Sequence, residues 1–220
     1  MKQTIAIVGA AGSMGAGIAR NLANAGHSIL LAGSRREKLI ELLGNIKSVT
    51  PHADVEILDC AHEASWEADI IIPAVPYTAQ REVANKIRDV ATGKIVISIV
   101  NPLNETIDGL VTAPTTSAAE KLAVLLPYSK IVKAFNTVTP ADFNMPDLGG
   151  SRVDCFVAGD DASAVETVAG LVKQGGFRPI VAGKLSESRT LEAMALHLIR
   201  LSMNRVVNAT ENSTMLQQAT

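Results

Sequence analysis

Short unbroken apolar runs alternate with amphipathic segments along the first hundred residues, a rhythm that predicts strands buried on both faces and joined by helices. Thr4 to Val8, Ser28 to Ala32, Val55 to Leu58, Asp69 to Ala74 and Lys94 to Val100 read as strands, the last closed by Pro102. Between the first two, Met14, Ile18, Leu22 and Ala25 recur at helical spacing, so one stripe of a helix faces the sheet, and Gly26 is its natural stop. A second helix opens near Ser34. Farther along, a helix from Ser117 to Leu126 ends at Pro127, and strands follow at Ile131 to Phe135 and Asp154 to Ala158. A helix from Ala162 to Gln174 carries Val165, Val168, Ala169 and Val172 on one face and stops at Gly175 and Gly176. After a short strand at Pro179 to Ala182 comes a long helix from Ser186 to about Asn212. Its stripe of Leu191, Met194, Ala195, Leu198 and Leu201 can pack on the domain or on a second subunit.

This order defines an α/β chain: a Rossmann-type doubly wound, mostly parallel sheet with helices on both faces and a long C-terminal helix. Apolar residues make up 47% of the 220 positions and charged ones 19%, a balance that excludes intrinsic disorder. The net charge of -2 supplies no basic field for nucleic acid or an anionic membrane, and 3% aromatics is too few for base-stacking platforms. Neither is expected as a partner. The longest apolar runs, interrupted by Pro73 and Pro76, fall short of the roughly 18 residues that a membrane span needs. Lys2 and the small apolar stretch to Ala19 mimic a secretory leader, but the glycines inside it fit a turn better. Cys60 and Cys155 stand far apart and outside any CxxC pair, so no disulfide or zinc site is expected, and they read as buried thiols of a reducing, cytoplasmic compartment.

Chemistry enters at Gly9-Ala10-Ala11-Gly12-Ser13-Met14-Gly15, directly after the first strand and at the start of the first helix. Gly9 lets the chain turn tightly, Gly12 allows backbone N–H groups to approach a pyrophosphate at the positive end of the helix dipole, and Gly15 permits close packing of helix on strand. The spacing is GxxGxxG, with Ala10 where the commoner fingerprint has its first glycine. At the end of the second strand, NAD enzymes place an acid on the ribose 2′-hydroxyl. Here stand Gly33-Ser34-Arg35-Arg36-Glu37-Lys38, a hydroxyl and three cations suited to a 2′-phosphate, so NADP(H) is the matched nucleotide. Ser34 and Glu37 also have the spacing of a capping box. Residues just past later strands should line the nicotinamide half of the groove: Val75, Pro76 and Tyr77, then Asn101 and Pro102, then Asn136, Thr137 and Val138. The simpler role of the prolines is strand termination.

A dehydrogenase of alcohols or hydroxy acids needs a proton donor or acceptor near the reacting oxygen. His27, His52, His62 and His197 fall away from the rim and read as structural or solvated, no lysine follows Lys184, and no hydrolase or metal motif is present. No catalytic side chain and no metal ligand is assigned. That absence favours hydride transfer between two planar redox rings, where stacking and distance do most of the work.

Taken in order, GAAGSMG, GSRREK, KAFNTV at 133 to 138 and LSESRTLEAMALHLI at 185 to 199 resemble the NADPH-dependent reductases of the coenzyme F420 type, whose fold recurs in the oxidoreductase domain of membrane metalloreductases. The resemblance covers nearly the whole chain. It implies that Ala11, Gly12, Ser13 and Met14 hold the pyrophosphate, and that Ser34, Arg35 and Lys38 hold the 2′-phosphate. It further implies that Val75, Tyr77, Asn101 and the segment from Asn136 border the nicotinamide, and that the chain forms a homodimer built partly on the terminal helix. In the archaeal deazaflavin enzymes of the type the segment matching Phe135-Asn136-Thr137 carries a histidine, whereas Asn136 stands here as in the metalloreductase branch, so F420, FMN, FAD or another acceptor is compatible. The expected organisation is one body over 1–220, with a dinucleotide core at 1–136 and an extension at 137–220 that completes the substrate cleft and contributes dimer contacts. The loop from Asn136 to Ser151, with Pro140, Pro146, Gly149 and Gly150, is the candidate boundary. Two rivals stand beside hydride transfer to a small-molecule redox partner: an NADP-dependent reductase of small carbonyl or imine compounds, and a non-catalytic NADP(H) sensor.

Overall fold

The structure is a computed structural model and describes residues 2–148 and 151–217. Its elements run β1 (Thr4–Val8), α1 (Ser13–Asn24), β2 (Ser28–Ala32), α2 (Arg36–Val49), β3 (Val55–Ile57), α3 (Ala61–Glu67), β4 (Ile70–Pro73), α4 (Tyr77–Ile87) and β5 (Ile95–Ser98). Then come α5 (Ala118–Leu125), β6 (Lys130–Lys133), the small hairpin β7 (Asp147–Leu148) and β8 (Ser151–Arg152), β9 (Asp154–Gly159), α6 (Ala162–Gln174), β10 (Arg178–Gly183) and α7 (Ser188–Gln217). Eight strands form one sheet in the order β10-β9-β6-β5-β4-β1-β2-β3. The six from β3 to β6 are parallel, β9 joins β6 antiparallel, and β10 lies parallel to β9. The chain winds outward in both directions from β1, and the switch point lies between β1 and β4.

Burial follows the two-residue period of the strands. Ile5, Ile7, Ile29, Leu31, Ile70 and Ile72 face a core shared with α1, α2 and α6. Ala6, Val8, Leu30, Ala32 and Ile71 face a second core under α3, α4 and α5. Both faces are apolar, so the strands read as unbroken hydrophobic runs.

Most departures from the sequence pattern lie at the carboxyl rim. β4, β5 and β6 stop at Pro73, Ser98 and Lys133, earlier than the apolar runs do, because the residues beyond them turn into the rim. For β6 the cause is specific: Phe135 has φ +59°, a left-handed conformation in which no strand continues. Its ring is held in an aromatic cluster with Phe143 and Phe177, at centroid distances of 6.0 and 6.3 Å. Phe143 thus carries part of the 136–151 loop into the core, while Gly149 and Gly150 lie outside the described residues. The capping box is not formed. Arg35 occupies the N-cap of α2 and no side chain caps that helix, so Ser34 stays outside it. A short 3₁₀ turn over Leu185–Glu187 delays α7 to Ser188. α3 and α4 leave a weak trace in the sequence, the first being two turns long and the second burying a polar residue, Gln80, on its inner face.

Cys155 is buried as expected and its thiol is pushed up to about 12 by desolvation, but Cys60, also expected to be buried, is exposed, because it sits at the N-cap of α3, where its Sγ accepts from the Glu63 amide. Thiol titration of the native protein should modify Cys60 alone, with Cys155 reacting only in denaturant. At the switch point the backbones nearly touch. Gly9 has φ +91°, and a Cβ there would lie 2.4 Å from the Ala74 carbonyl oxygen. Gly9→Ala combines this clash with left-handed strain and should cost about 2–4 kcal/mol in urea unfolding.

Candidate functional site

The carboxyl rim of the sheet carries two clefts, both touching the glycine turn. The turn is set by backbone contact: Gly9 and Ala10 donate to the Ala32 carbonyl of β2, and Gly12 donates to the Gly9 carbonyl. At Gly15 an added Cβ would lie 2.7 Å from the Gly9 oxygen, so a glycine there is required by packing. Gly12 differs. Its φ of -83° suits any residue, and a Cβ would meet only the Gly9 oxygen at 3.4 Å and the Ala74 oxygen at 4.0 Å. The bare surface over Gly12 is therefore not demanded by the fold. Gly12 is also the N-cap of α1, offers no side chain to the first-turn N–H groups, and no acid lies in that turn. The amides of Ser13 and Met14 and the helix dipole are left for an external anion, so the residues present fit the pyrophosphate of a dinucleotide.

The first cleft, of about 570 Å³, is bordered by Gly9, Gly33, Ser34, Asp59, Cys60 and Val75. Ser34, Arg35, Arg36 and Lys38 are all exposed at its mouth or beside it. Arg35 Nη2 donates to the Ala11 carbonyl at 3.0 Å, which lays its guanidinium against the glycine turn. Arg36 is paired at 2.5 Å with Asp59, an acid that follows β3 and is not foreshadowed by the residues at the end of β2. Its charge is partly spent there, leaving Arg35 and Lys38 as the less engaged cations of the group.

The second cleft, of about 360 Å³, gathers Ser13 and Met14 from α1, Asn101 after β5, the Phe135–Pro140 segment after β6, and Ala195, Leu198, Ile199 and Ser202 from α7. Asn101, Asn136 and Val138 are brought together as their places after strands predict. Asn101 Nδ2 donates to the Asn136 carbonyl at 2.8 Å, and Asn136 Nδ2 donates to Asn101 Oδ1 and to the Leu191 carbonyl, each at 3.0 Å. These two acceptors fix the Asn136 amide, leaving its buried Oδ1 with no partner from the protein. Thr137 Oγ1 is buried and unpartnered as well. Orphaned polar atoms of this kind cost about 1–3 kcal/mol each unless a ligand or water meets them. Tyr77 lies elsewhere. Its hydroxyl accepts from Lys121 Nζ at 3.1 Å in a separate cleft between α4 and α5, while Pro76 caps α4. Among the described residues no group of three or more His, Cys, Asp or Glu could hold a metal ion. His27 is buried: its Nδ1 accepts from the Gln3 amide at 3.2 Å and its Nε2 donates to Gln174 Oε1 at 2.7 Å, so both ring nitrogens are engaged within the fold.

Beside the second cleft lies a feature absent from the sequence reading, a fully buried ion pair. Lys133 Nζ is 2.7 Å from Glu192 Oε1, with both side chains at most 1% exposed, and it also donates to the Val100 carbonyl. Glu192 in turn accepts from the Ala118 and Ala119 amides at the start of α5. Desolvation pulls the Lys133 ammonium below its ordinary range, against the raising effect of the carboxylate. The clue in the sequence was a lysine in an apolar strand and a glutamate in an apolar helix stripe, which can be buried together but not singly.

Fold and site together define a dinucleotide-binding oxidoreductase. The model of the family described as NADP oxidoreductase, coenzyme F420-dependent, matches residues 4–102. The F420-dependent NADP reductase of Methanocaldococcus jannaschii is 33% identical over 209 residues, 90% of this chain and 92% of that protein. Metalloreductase STEAP2 of Homo sapiens is 29% identical over 217 residues, covering 97% of this chain and 40% of the human protein. A solved structure of a candidate F420-dependent NADP reductase from Arthrobacter sp. FB24 superposes with a TM-score of 0.77 at 27% identity, covering 90% of this chain and 93% of that one. The chain belongs to the family of coenzyme F420-dependent NADP oxidoreductases. No helix among the described residues is long and apolar enough to cross a membrane.

Gly12→Ala separates the two uses of glycine in the turn. Its unfolding free energy should fall by no more than about 1 kcal/mol, since the added methyl fits without a clash and the loss is only that of a poorer N-cap residue. Nucleotide affinity, measured by calorimetry, should fall at least about tenfold as the methyl occupies the anion's approach.

Proposed function

We propose that this chain is an NADP(H)-dependent reductase that exchanges hydride with coenzyme F420 in the cleft between α1, the Phe135–Pro140 segment and α7. The observation that carries the reading is the free, uncapped start of α1 at Gly12, flanked by Arg35, in a chain a third identical to an F420-dependent NADP reductase over nearly its full length. When bound, NADPH gives up a hydride, and F420 takes it together with one proton from solvent, leaving NADP⁺ and reduced F420.

In this reading the amides of Ser13 and Met14, beside the bare backbone at Ala11 and Gly12, receive the pyrophosphate. Arg35, Ser34 and Lys38 meet the 2′-phosphate, with Arg36 contributing through its bridge to Asp59. Gly9 and Val75 border the adenosine side, and Pro76 ends that wall. Asn101, Asn136 and Val138 border the nicotinamide side, where Asn136 Oδ1 and Thr137 Oγ1 are acceptors for the polar edge of a ring. Tyr77 is retained only as a support for the α4 to α5 face. The residues from 137 onward complete the acceptor side of the cleft on a core formed by 1–136, and no side chain serves as a general acid. The exposed apolar positions Leu198, Leu201 and Met203 of α7 support a homodimer, and the two free thiols support a reducing, cytoplasmic setting.

Steady-state oxidation of NADPH with F420, FMN, FAD and small carbonyl or imine compounds tests the assignment. Turnover is expected with F420 in preference to the flavins. Turnover with a carbonyl or imine alone rejects it, and tight binding without turnover points to a sensor. For the nucleotide, Arg35→Ala should weaken NADPH by about 10- to 100-fold and leave NADH nearly unchanged, as judged from the two KM values. Equal losses contradict a 2′-phosphate contact.

A further inference from the structure

The second cleft has three walls that are far apart in sequence, and a single buried pair touches the element behind each of them. Lys133 ends β6, two residues before Phe135 and three before Asn136. Its ammonium donates to the carbonyl of Val100, the residue before Asn101, which ties β6 to the rim of β5. Its partner Glu192 sits on α7 next to Leu191, whose carbonyl receives the Asn136 amide, and one turn before Ala195. The same carboxylate receives the Ala118 and Ala119 amides and so anchors α7 to the start of α5. No other charged pair among the described residues is buried, as every other ion pair has at least one side chain more than a third exposed.

Stability alone does not account for such a pair. Two charges withdrawn from water are costly, and packed apolar residues of the same volume commonly hold a core as well or better. What an ion pair with four directed hydrogen bonds supplies, and an apolar contact does not, is one register. Sliding α7 along the rim would break the bonds to Lys133, Ala118 and Ala119 together, and with them the Asn136 to Leu191 contact. Leu198 and Ile199, the parts of α7 that roof the cleft, follow Glu192 on the same helix and inherit its placement.

We propose that Lys133 and Glu192 are positioning residues that set the height and register of α7 over the cleft, and thereby the approach of the acceptor ring to the nicotinamide. They touch neither ring. The proposal rests on the F420 reductase reading, and it concerns the acceptor side only. Neither Arg35 nor any residue of the glycine turn is bonded to the pair, so nucleotide binding should be spared.

The test uses the full chain with NADPH and F420, and it compares Lys133→Met/Glu192→Gln, which removes both charges, with Glu192→Asp, which keeps both and shortens the tether by one methylene. Thermal unfolding establishes which variants are folded. For a folded variant the expected result is a split. The Kd for NADPH stays within about twofold, the KM for F420 rises, and the single-turnover rate of NADPH oxidation falls by about 10- to 100-fold, the scale of a misplacement near 1 Å. A larger primary isotope effect with NADPH deuterated at the nicotinamide C4 should accompany the fall. If the paired variant does not fold, Glu192→Asp decides, with the same split at smaller size. Parental kcat and F420 KM in either folded variant overturn the proposal, and so does an equal loss of NADPH affinity and rate. Failure of the parent protein itself to pass hydride to F420 overturns the function and not the positioning, which is then read from the same variants as loss of protection at the α7 amides in hydrogen exchange. Unchanged protection there overturns the positioning too.

Discussion

The close crossing of two backbones at the switch point governs everything built on this rim. The chain leaving β1 at Gly9 passes so near the chain leaving β4 at Ala74 that no side-chain carbon fits between them. That approach is possible only for glycine in a left-handed conformation, and it forces the turn that aims the start of α1 across the sheet. With the first-turn amides uncapped, α1 presents a fixed positive end at the place where the two halves of the sheet diverge. The groups on either side then sort by chemistry: cations and hydroxyls toward the end of β2, amides and apolar rings toward the ends of β5 and β6.

Much of this was legible in the sequence because it depends on local rules. β1, β2 and α6 fall where unbroken apolar runs and a helical stripe place them, since both faces of those strands are buried and glycines, Gly26 and Gly175, follow the helices α1 and α6. The glycine turn was legible because a dense run of glycines at a strand-to-helix junction has few other uses. That Asn101, Asn136 and Val138 meet in one cleft followed from their places just beyond the carboxyl ends of neighbouring strands. Position after a strand was not enough for Tyr77, because the first residue of α4 can point to either side and Lys121 draws it toward α5.

The parts that escaped are those written in pairs of distant residues. Arg36 looked like a third cation for a phosphate, but Asp59, 23 positions away, engages it. The Lys133 and Glu192 pair spans 59 positions and appears in the sequence only as two charges in the wrong company. Strand ends were overestimated for a related reason. Phe135 is apolar and β-prone, yet the cluster with Phe143 and Phe177 holds it at positive φ, and the chain must leave the sheet before it. Tertiary contact decides each of these cases.

Under the proposed function, the bare turn at Gly12 receives a phosphorylated dinucleotide whose reactive ring lies beneath α7. A crystal structure with NADP⁺ and F420 both bound tests it most directly. The expected complex has the pyrophosphate on the Ser13 and Met14 amides, the 2′-phosphate against Arg35, and the two rings stacked between the Phe135–Pro140 segment and Leu198 and Ile199. A nucleotide lodged elsewhere on the rim, or an acceptor bound away from α7, would contradict it.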